Sequence, residues 1–491
     1  MELSIEIDPA RSLQEQIFEQ LQDLIVTERL SCGARLPSSR ELSVLLNVSR
    51  NTVKGVYDKL TDQGYIYSQV GSGTYVCTTL PERTIGVNAN NSQLSLGEEP
   101  SDIDLNLPEI KQEIHQYTSK KRELVCDFQL ERTDPHSFPT KAWRRLINNR
   151  LSTLGSNMTR YGEPMGLGEL RTAIATRVGS TRGIVVDPSQ VFIVTGIQQG
   201  LNIVSQLFVR KGTGVLIEAP GYTGAKYLFQ NYGAKLIPVP VDKNGIVLNK
   251  LPKKDVSLAF ITPSRQYPMG TVMSIKDRKA LIEWATEVGS YIVETDYDSD
   301  FRYEGAPLPA LKALDNNECV IHLGSFSKTL GPGLRVGYMI LPPSLVDGAI
   351  SCKKLLDYGM PWLDQAVLAD FIASGSYDNY LKRLRSLYRN RRDRLIKELT
   401  EKLGEVELRG TECGTHLVWK LPEWAPDANQ LQKLMLNRNV GVYNLWHDSI
   451  CNWDYAKECN RLLLLGYGAI SEENISEGIG RIVSELKQSS L

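Results

Sequence analysis

The chain has 491 residues, of which 42% are hydrophobic and 23% charged, and its formal net charge is −1. That length exceeds a single ordinary core, so two or three domains of a soluble globular protein are expected. The near-neutral balance excludes a globally basic nucleic-acid binder and leaves any DNA contact to a local patch. The eight cysteines are scattered, with no Cys-x-x-Cys pair. This excludes a zinc-ribbon or disulfide-framework reading and predicts reduced thiols, a cytoplasmic location and no metal site. The N-terminus lacks a basic start followed by an apolar stretch, and no run approaches the roughly 18 apolar residues of a membrane helix.

Near the N-terminus, Leu13, Ile17, Leu21, Leu24 and Ile25 recur at helical spacing and predict a helix from residue 12 to about 28. Ser38 and Glu41 have capping-box spacing and open a second helix, with Leu42, Leu45 and Leu46 as its expected buried side. After a turn at Asn47-Val48-Ser49, Ser49 caps a third helix. Val53, Val56, Tyr57 and Leu60 face inward there, and Gly64 is its stop. Arg50, Asn51, Thr52 and Lys54 are left on its outer, N-terminal part. Residues 65–76 read as a hairpin turning at Gly71-Ser72-Gly73. Two short helices, a tight turn and a following hairpin make a winged helix-turn-helix pattern.

Residues 78–122 break the periodicity and have linker composition, with a candidate short helix at 107–117. Beyond residue 127, apolar runs at 191–194, 214–217, 236–239, 257–261, 291–293, 320–323 and 336–340 alternate with amphipathic helices. This predicts an α/β domain with a mostly parallel sheet, whose ligands sit at the C-terminal ends of the strands. The residues after the runs form a consistent set. Residues 195–200 are a glycine turn entering a helix, which offers backbone N–H groups to a phosphate. Tyr222 can present a ring for stacking, and the segments 263–270 and 294–303 follow the next two runs. Last comes Gly324-Ser-Phe-Ser-Lys-Thr-Leu-Gly-Pro-Gly-Leu-Arg-Val-Gly-Tyr338. A lysine placed like Lys328 can form an imine with a carbonyl cofactor. Ser325, Ser327 and Arg335 can hold an anion such as a phosphate. A long charged helix at 377 to about 403, with a solvated basic face, then strands and a final helix at 471–487, predict a small α+β domain.

Leu36-Pro-Ser-Ser-Arg-Glu-Leu42, Val48-Ser-Arg-Asn-Thr-Val53 and Gly71-Ser-Gly-Thr-Tyr-Val76 resemble the GntR family of winged-helix repressors over residues 9–77. That resemblance implies DNA contacts from Arg40, Arg50, Asn51, Thr52, Lys54 and the wing glycines Gly71 and Gly73. Arg50 is the expected base or phosphate contact, and the wing is expected in the adjacent minor groove. The order of the later segments resembles fold-type I pyridoxal-phosphate (PLP) enzymes of the aspartate aminotransferase family. The chain as a whole is similar to the MocR/GabR subfamily of GntR regulators.

The resemblance implies a winged helix at 9–77, a linker at 78–122, a large PLP-binding domain at 123–375 and a small domain at 376–491. Lys328 is then the lysine that carries PLP. Arg335, Ser325, Ser327 and the Ile197-Gln198 turn hold its phosphate. Tyr222 stacks on the ring, and Tyr297 bonds its phenolic oxygen. Tyr161-Gly-Glu-Pro-Met-Gly166 matches the segment whose tyrosine reaches the phosphate of the neighbouring subunit, which implies a homodimer. The implied function is a regulator of transcription that binds double-stranded operator DNA and senses PLP, an amine or an amino-acid-like effector. Two alternatives remain: a working aminotransferase with an accessory DNA-binding domain, and a regulator that has lost the cofactor.

The chain departs from the subfamily at two places. Where the subfamily has Glu-Asp-Asp-Tyr-Asp, this chain has Glu294-Thr295-Asp296-Tyr297-Asp298. Alternation along a strand turns Thr295 the same way as Tyr297 and Asp296 away. An early strand end or a bulge would let Asp296 reach, and Asp296 is retained as the acid expected at the ring nitrogen. The second departure concerns carboxylate recognition. Gly224 stands where GABA-sensing relatives have an arginine, and Leu464 where aminotransferases have one, with Arg461 as an upstream substitute. The other GABA-site arginine aligns near Trp446-His447-Asp448, which are read as packing or loop surface. GABA is therefore not the expected effector, and an amine whose other end is not a simple carboxylate, or PLP itself, is.

Overall fold

The computed structural model describes residues 5, 7–8, 11–69, 71–80, 124–153, 159–445, 449–450 and 459–489. The chain divides into two compact units between residues 106 and 107. The expected short helix at 107–117 and the Trp446-His447-Asp448 segment lie outside the described residues.

The first unit contains α1 (Leu13–Val26), β1 (Arg35–Leu36), α2 (Ser39–Leu45), α3 (Arg50–Asp62), β2 (Ile66–Gln69) and β3 (Gly73–Val76). Local chemistry sets its helix starts. The Ser38 side chain accepts from the Glu41 N–H, and the Glu41 carboxylate accepts from the Ser38 N–H at 2.8 Å, a complete capping box. The Ser49 side chain accepts from the Thr52 N–H at 3.1 Å and caps α3. Ile17, Leu21, Ile25, Leu42, Val53, Val56 and Leu60 form one buried core. α1 and α3 approach closely at Gly55, where a Cβ would lie 2.4 Å from Gln14 Nε2.

β2 and β3 form the expected hairpin, in register Tyr67↔Tyr75. The pattern did not announce β1, which pairs with the outer side of β3. Two residues are too few for a periodicity to register. Leu45 is not buried as expected: it is 60% exposed, beside Val44 at 77%. α2 has only seven residues, and its buried positions are Leu42 and Ser43.

The second unit opens with β4 (Cys126–Asp127), followed by β5 (Val191–Val194), β6 (Gly214–Ala219), β7 (Gly221–Tyr222), β8 (Lys235–Asp242) and β9 (Gly245–Ile246). Then come β10 (Leu258–Ile261), β11 (Tyr291–Asp296), β12 (Val320–Ser325) and β13 (Gly337–Ile340). The main sheet has eight strands in the order β5-β13-β12-β11-β10-β6-β8-β9. From β12 to β8 neighbouring strands run parallel, and β13 is antiparallel to both β12 and β5. Every residue of β5, β6 and β10 is buried, because helices cover both faces. One face packs Val194, Val204, Phe229, Phe260 and Leu323. The other packs Leu216, Ile261, Leu281, Ala285 and Ile292.

The small C-terminal portion carries β14 (Glu407–Arg409), β15 (His416–Lys420), β16 (Val440–Gly441), β17 (Tyr443–Asn444), β18 (Ser449–Ile450) and β19 (Leu462–Gly466). Four of these make an antiparallel sheet ordered β14-β15-β19-β17, while β16 pairs with β4 and β18 with β7. The helices Ser376–Leu403 and Glu472–Ser489 pack nearby in the same core. The basic face of the long helix is only partly solvated, a correction to the expectation. Arg391 is buried on Asp134 at 2.5 Å, and Arg392 is buried with Glu304 at 2.8 Å. Arg385 donates to the Asp300 carbonyl at 2.9 Å. These arginines tie the helix to preceding segments of the same unit.

Candidate functional site

The C-terminal ends of the parallel strands converge on a cavity of about 190 Å³. β10 supplies Phe260 and the following Thr262, β11 supplies Thr295 and the following Tyr297, and β12 leads into Ser325, Ser327 and Lys328. Gly196, Ile197, Gln198, Tyr222, Arg335 and Glu131 complete much of the wall. Eight of the residues expected at a cofactor are thus brought together: Ile197, Gln198, Tyr222, Tyr297, Ser325, Ser327, Lys328 and Arg335.

One end of the cavity is built for an anion. The helix Ile197–Phe208 starts there, with Gly196 at φ 116° as its cap. A Cβ on Gly196 would lie 3.0 Å from Arg335 Nη2, so glycine lets the guanidinium lie against the helix start. Arg335 itself holds a left-handed backbone at φ 54° and ψ 42°, a conformation that costs a non-glycine residue on the order of 1–3 kcal/mol. Ser325 Oγ accepts from the Ser327 N–H at 3.0 Å. Free N–H groups at a helix start, two hydroxyls and a guanidinium fit a phosphate.

Lys328 lies in the short helix Ser327–Leu330 and is 8% exposed. Its Nζ is 3.8 Å from Glu131 Oε1. The turn that carries it is braced from the long helix. Tyr377 Oη donates to Thr329 Oγ1 at 2.9 Å, and Tyr380 Oη to the Thr329 carbonyl at 2.5 Å. On the opposite wall, the Tyr222 ring stands edge-on to Tyr267 at 5.9 Å. A Cβ on Gly224 would lie 2.4 Å from Tyr222 Cζ. This placement of Tyr222 therefore excludes a larger residue at 224.

Behind Tyr297 lies a buried network with no assigned role in the sequence reading. Arg265 is 1% exposed and pairs with Asp298 Oδ2 at 3.1 Å. It also donates to Tyr297 Oη at 3.3 Å, to His416 Nδ1 at 3.0 Å and to the His416 carbonyl at 2.6 Å. His416 Nε2 donates to the Pro268 carbonyl at 2.9 Å, so Nδ1 is the acceptor and the ring is neutral. Burial, then the Arg265 charge, press the pKa of His416 well below its usual value. Burial and Asp298 raise that of Tyr297 well above the usual phenol range. An arginine offers only donors, so the Tyr297 oxygen accepts from it and keeps its own proton for the cavity.

The two candidates at the ring nitrogen separate cleanly. Thr295 faces the cavity. Asp296 does not line it, which corrects the assignment of Asp296 to the cofactor. β11 and β12 keep an unbroken parallel register through Asp296↔Gly324, so there is no bulge to reverse the alternation. Asp296 Oδ2 instead accepts from Arg182 Nε at 2.5 Å and from Ser299 Oγ at 2.5 Å. Burial alone would raise its pKa, but Arg182, with His322 and Ser299, outweighs burial and holds it at about 2.

Three other expectations have definite positions. Tyr161 is 89% exposed, with its ring 5.7 Å from that of Tyr358, and does not line this chain's own cavity. Arg461 is not a carboxylate clamp: it donates to the Ala425 carbonyl at 3.0 Å and to the Pro422 carbonyl. Leu464 is fully buried. Glu131 was missed in the sequence because a single acid in a segment without periodicity carries no signal. Its left-handed φ of 68° turns up only in the structure.

In the first unit, Arg40 is exposed in the first turn of α2, Arg50, Asn51 and Lys54 are exposed near the start of α3, and Thr52 is half-buried on Ser49. Arg50 Nε donates to Ser39 Oγ at 3.4 Å. Gly71 and Gly73 hold φ of 78° and 133° at the hairpin turn, where L side chains are strained. A Cβ on Gly73 would lie 2.9 Å from Arg35 Nε, so Arg35 of β1 reaches the wing. The unpredicted strand thus brings an exposed cation to the hairpin turn.

These features define a winged helix-turn-helix joined to an aminotransferase-type fold. Residues 13–76 match the model of bacterial regulatory proteins of the gntR family, and residues 130–448 match that of aminotransferase class I and II. The uncharacterized HTH-type transcriptional regulator YhdI of Bacillus subtilis is 33% identical, over 96% of this chain and 95% of its own. The probable rhizopine catabolism regulatory protein MocR of Rhizobium meliloti is 31% identical, over 98% and 95%. Among solved structures, Pyrococcus horikoshii kynurenine aminotransferase matches with a TM-score of 0.72 at 25% identity, over 80% of this chain and 98% of its own. The chain belongs to the MocR/GabR subfamily of GntR helix-turn-helix transcription regulators.

Proposed function

We propose that this regulator binds PLP on Lys328 and reports the arrival of a small molecule there to its DNA-reading unit. The observation that carries this reading is Lys328, buried in a cavity that also holds an anion cradle, a stacking ring and a phenol donor. PLP, when bound, supplies a carbonyl that captures primary amines reversibly. Arg335, Ser325, Ser327 and the Ile197-Gln198 N–H groups hold its phosphate. Tyr222 covers the ring, and Tyr297 donates to its phenolic oxygen. An effector that displaces Lys328 frees its ammonium beside Glu131 and relaxes the Thr329 turn that Tyr377 and Tyr380 brace. The effector shifts the protein between two states by its difference in affinity for them.

The effector is an amine whose far end is not a simple carboxylate, or PLP itself. Arg335 and Lys328 are the cations lining the described cavity, and both have roles in holding PLP. Arg461 is consumed by backbone carbonyls. Glu131 adds an acid where a carboxylate ligand would be repelled. The exposed Tyr161 suits a tyrosine that serves the site of a neighbouring subunit in a homodimer. The domains run over 9–77, 123–375 and 376–491, with a linker at 78–122, and the protein works in the cytoplasm. Among the described residues, no helix is long and apolar enough to cross a membrane. Double-stranded operator DNA is read by Arg40, Arg50, Asn51, Thr52, Lys54 and the wing at Gly71 and Gly73, with Arg35 as a further phosphate contact.

The test is to load the full chain with PLP and record the imine absorbance, then fix the link by borohydride and map it by peptide mass. Modification at Lys328, and absorbance changes with selected amines that alter operator binding, are expected. Sustained keto-acid production over many turnovers would overturn the regulator in favour of an aminotransferase.

A further inference from the structure

β11 brings two adjacent polar side chains to the floor of the site, and they point to opposite faces. Thr295 lines the cavity together with Lys328, and its Oγ1 is buried without a hydrogen-bond partner. An unsatisfied buried hydroxyl costs on the order of 1–3 kcal/mol, so this one is available to a partner in the cavity. Asp296 cannot serve in its place. Arg182 and Ser299 hold its carboxylate on the far face, and the unbroken register with β12 leaves no slack to turn the strand. Swinging that carboxylate into the cavity would strip a partner from Arg182, itself 12% exposed.

The next step rests on the PLP reading above. In PLP the carbon that meets the lysine lies across the ring from the pyridine nitrogen. With the phosphate in the Arg335 cradle and the phenolic oxygen at Tyr297, that nitrogen would face the strand floor. Thr295 is there, two residues before Tyr297 and on the same face. We infer that Thr295 is the partner of the pyridine nitrogen, and that its neutral hydroxyl keeps that nitrogen unprotonated. A carboxylate at this position would stabilise a proton on the nitrogen by its charge, whereas a neutral hydroxyl brings no such charge and can donate its own hydrogen bond to the bare nitrogen. An unprotonated ring withdraws less electron density from the captured amine. Capture and release of amines at Lys328 do not need that withdrawal, but removal of the α-proton does. The site therefore exchanges amines readily and consumes them slowly, so the signal outlasts its own detection.

The experiment uses the full chain loaded with PLP that is nitrogen-15-labelled in the ring. The ring nitrogen is expected at the chemical shift of neutral pyridine. A pyridinium shift in the wild type overturns the inference. Thr295→Asp is expected to move the signal toward pyridinium and to speed conversion of bound PLP to its amine form, with 1,4-diaminobutane as donor, by about tenfold or more. If the labelled nitrogen of Thr295→Asp instead stays neutral and conversion is unchanged, Thr295 is not the partner. Should that variant fail to fold, Thr295→Val decides. It is expected to keep the imine absorbance and the neutral shift while binding PLP severalfold more weakly, and unchanged affinity counts against the contact. Absence of any borohydride-fixed link to Lys328 would instead sink the PLP reading itself, an outcome distinct from a protonated ring on an intact link.

Discussion

The residues assigned to function are set differently in the two units. In the first, Arg40, Arg50, Asn51 and Lys54 are exposed, while a separate set of apolar residues makes the core. In the second, Lys328, Thr295, Arg265 and Asp298 are buried among the groups that hold the fold, while Glu131, Gln198 and Arg335 are exposed. Exposed charges lose little on folding and contribute little to it, so function and stability are separable in the reader. Buried charges must be paired or neutralised to be tolerated, so in the second unit a change to this buried set is also a change to the fold.

The sharpest break of this contrast is Lys328→Ala. It removes the amine proposed to hold PLP, and complete loss of imine absorbance is expected, while gel-shift binding of operator DNA by the first unit stays measurable. Next is Arg182→Ala. It leaves Asp296 in a buried setting without its cation, and unfolding of the second unit in urea should be easier by about 3–5 kcal/mol. An unchanged midpoint would mean that this pair does not fix the outer face of β11.

Glu218 tests the same contrast through pH. It is 2% exposed, accepts from Thr262 and Gln266, and burial pushes its pKa from 4.5 up to about 7. The folded state therefore binds this proton more tightly than the unfolded one. The resulting stabilisation is complete below pH 4.5 and is lost as pH rises through about 7. It amounts to about 3 kcal/mol. Glu218→Gln should flatten the stability profile between these limits, and an unchanged profile in urea titrations would count against a protonated Glu218.

Smaller effects are expected where the side chains are exposed. Arg50→Ala should weaken operator binding by about 1–3 kcal/mol and leave the unfolding midpoint and cofactor absorbance alone. A fall in stability would show that the reader does not separate the two properties. Glu131 is 52% exposed, so Glu131→Gln should change the preference for doubly cationic amines over amino acids by less than about 1 kcal/mol. Absorbance titrations with a diamine and a chain-matched amino acid would read it.

Much of this was legible in the sequence because the signals are local. Ser38 with Glu41 and Ser49 with Thr52 act within one helical turn, and both caps form where the spacing placed them. The segments that follow strands could be selected because strand ends in a parallel sheet converge. Long-range pairings were not legible. Arg391 is buried because Asp134 meets it from 257 positions away in the chain. Arg461 is occupied by carbonyls near residue 422. Glu131 reaches Lys328 from a segment ahead of the sheet. β1 is a strand only because β3 lies beside it.

The pair at the floor of the cavity divides the two kinds of information. The sequence by itself determined that Thr295 and Asp296 lie on opposite faces, since successive side chains of a strand alternate. Only the tertiary structure decided which of them meets the cavity. Continuous pairing with β12 preserves the alternation, and Arg182, supplied by a distant helix, draws the carboxylate to the far side. The threonine is left facing Lys328 with a hydroxyl still to be satisfied.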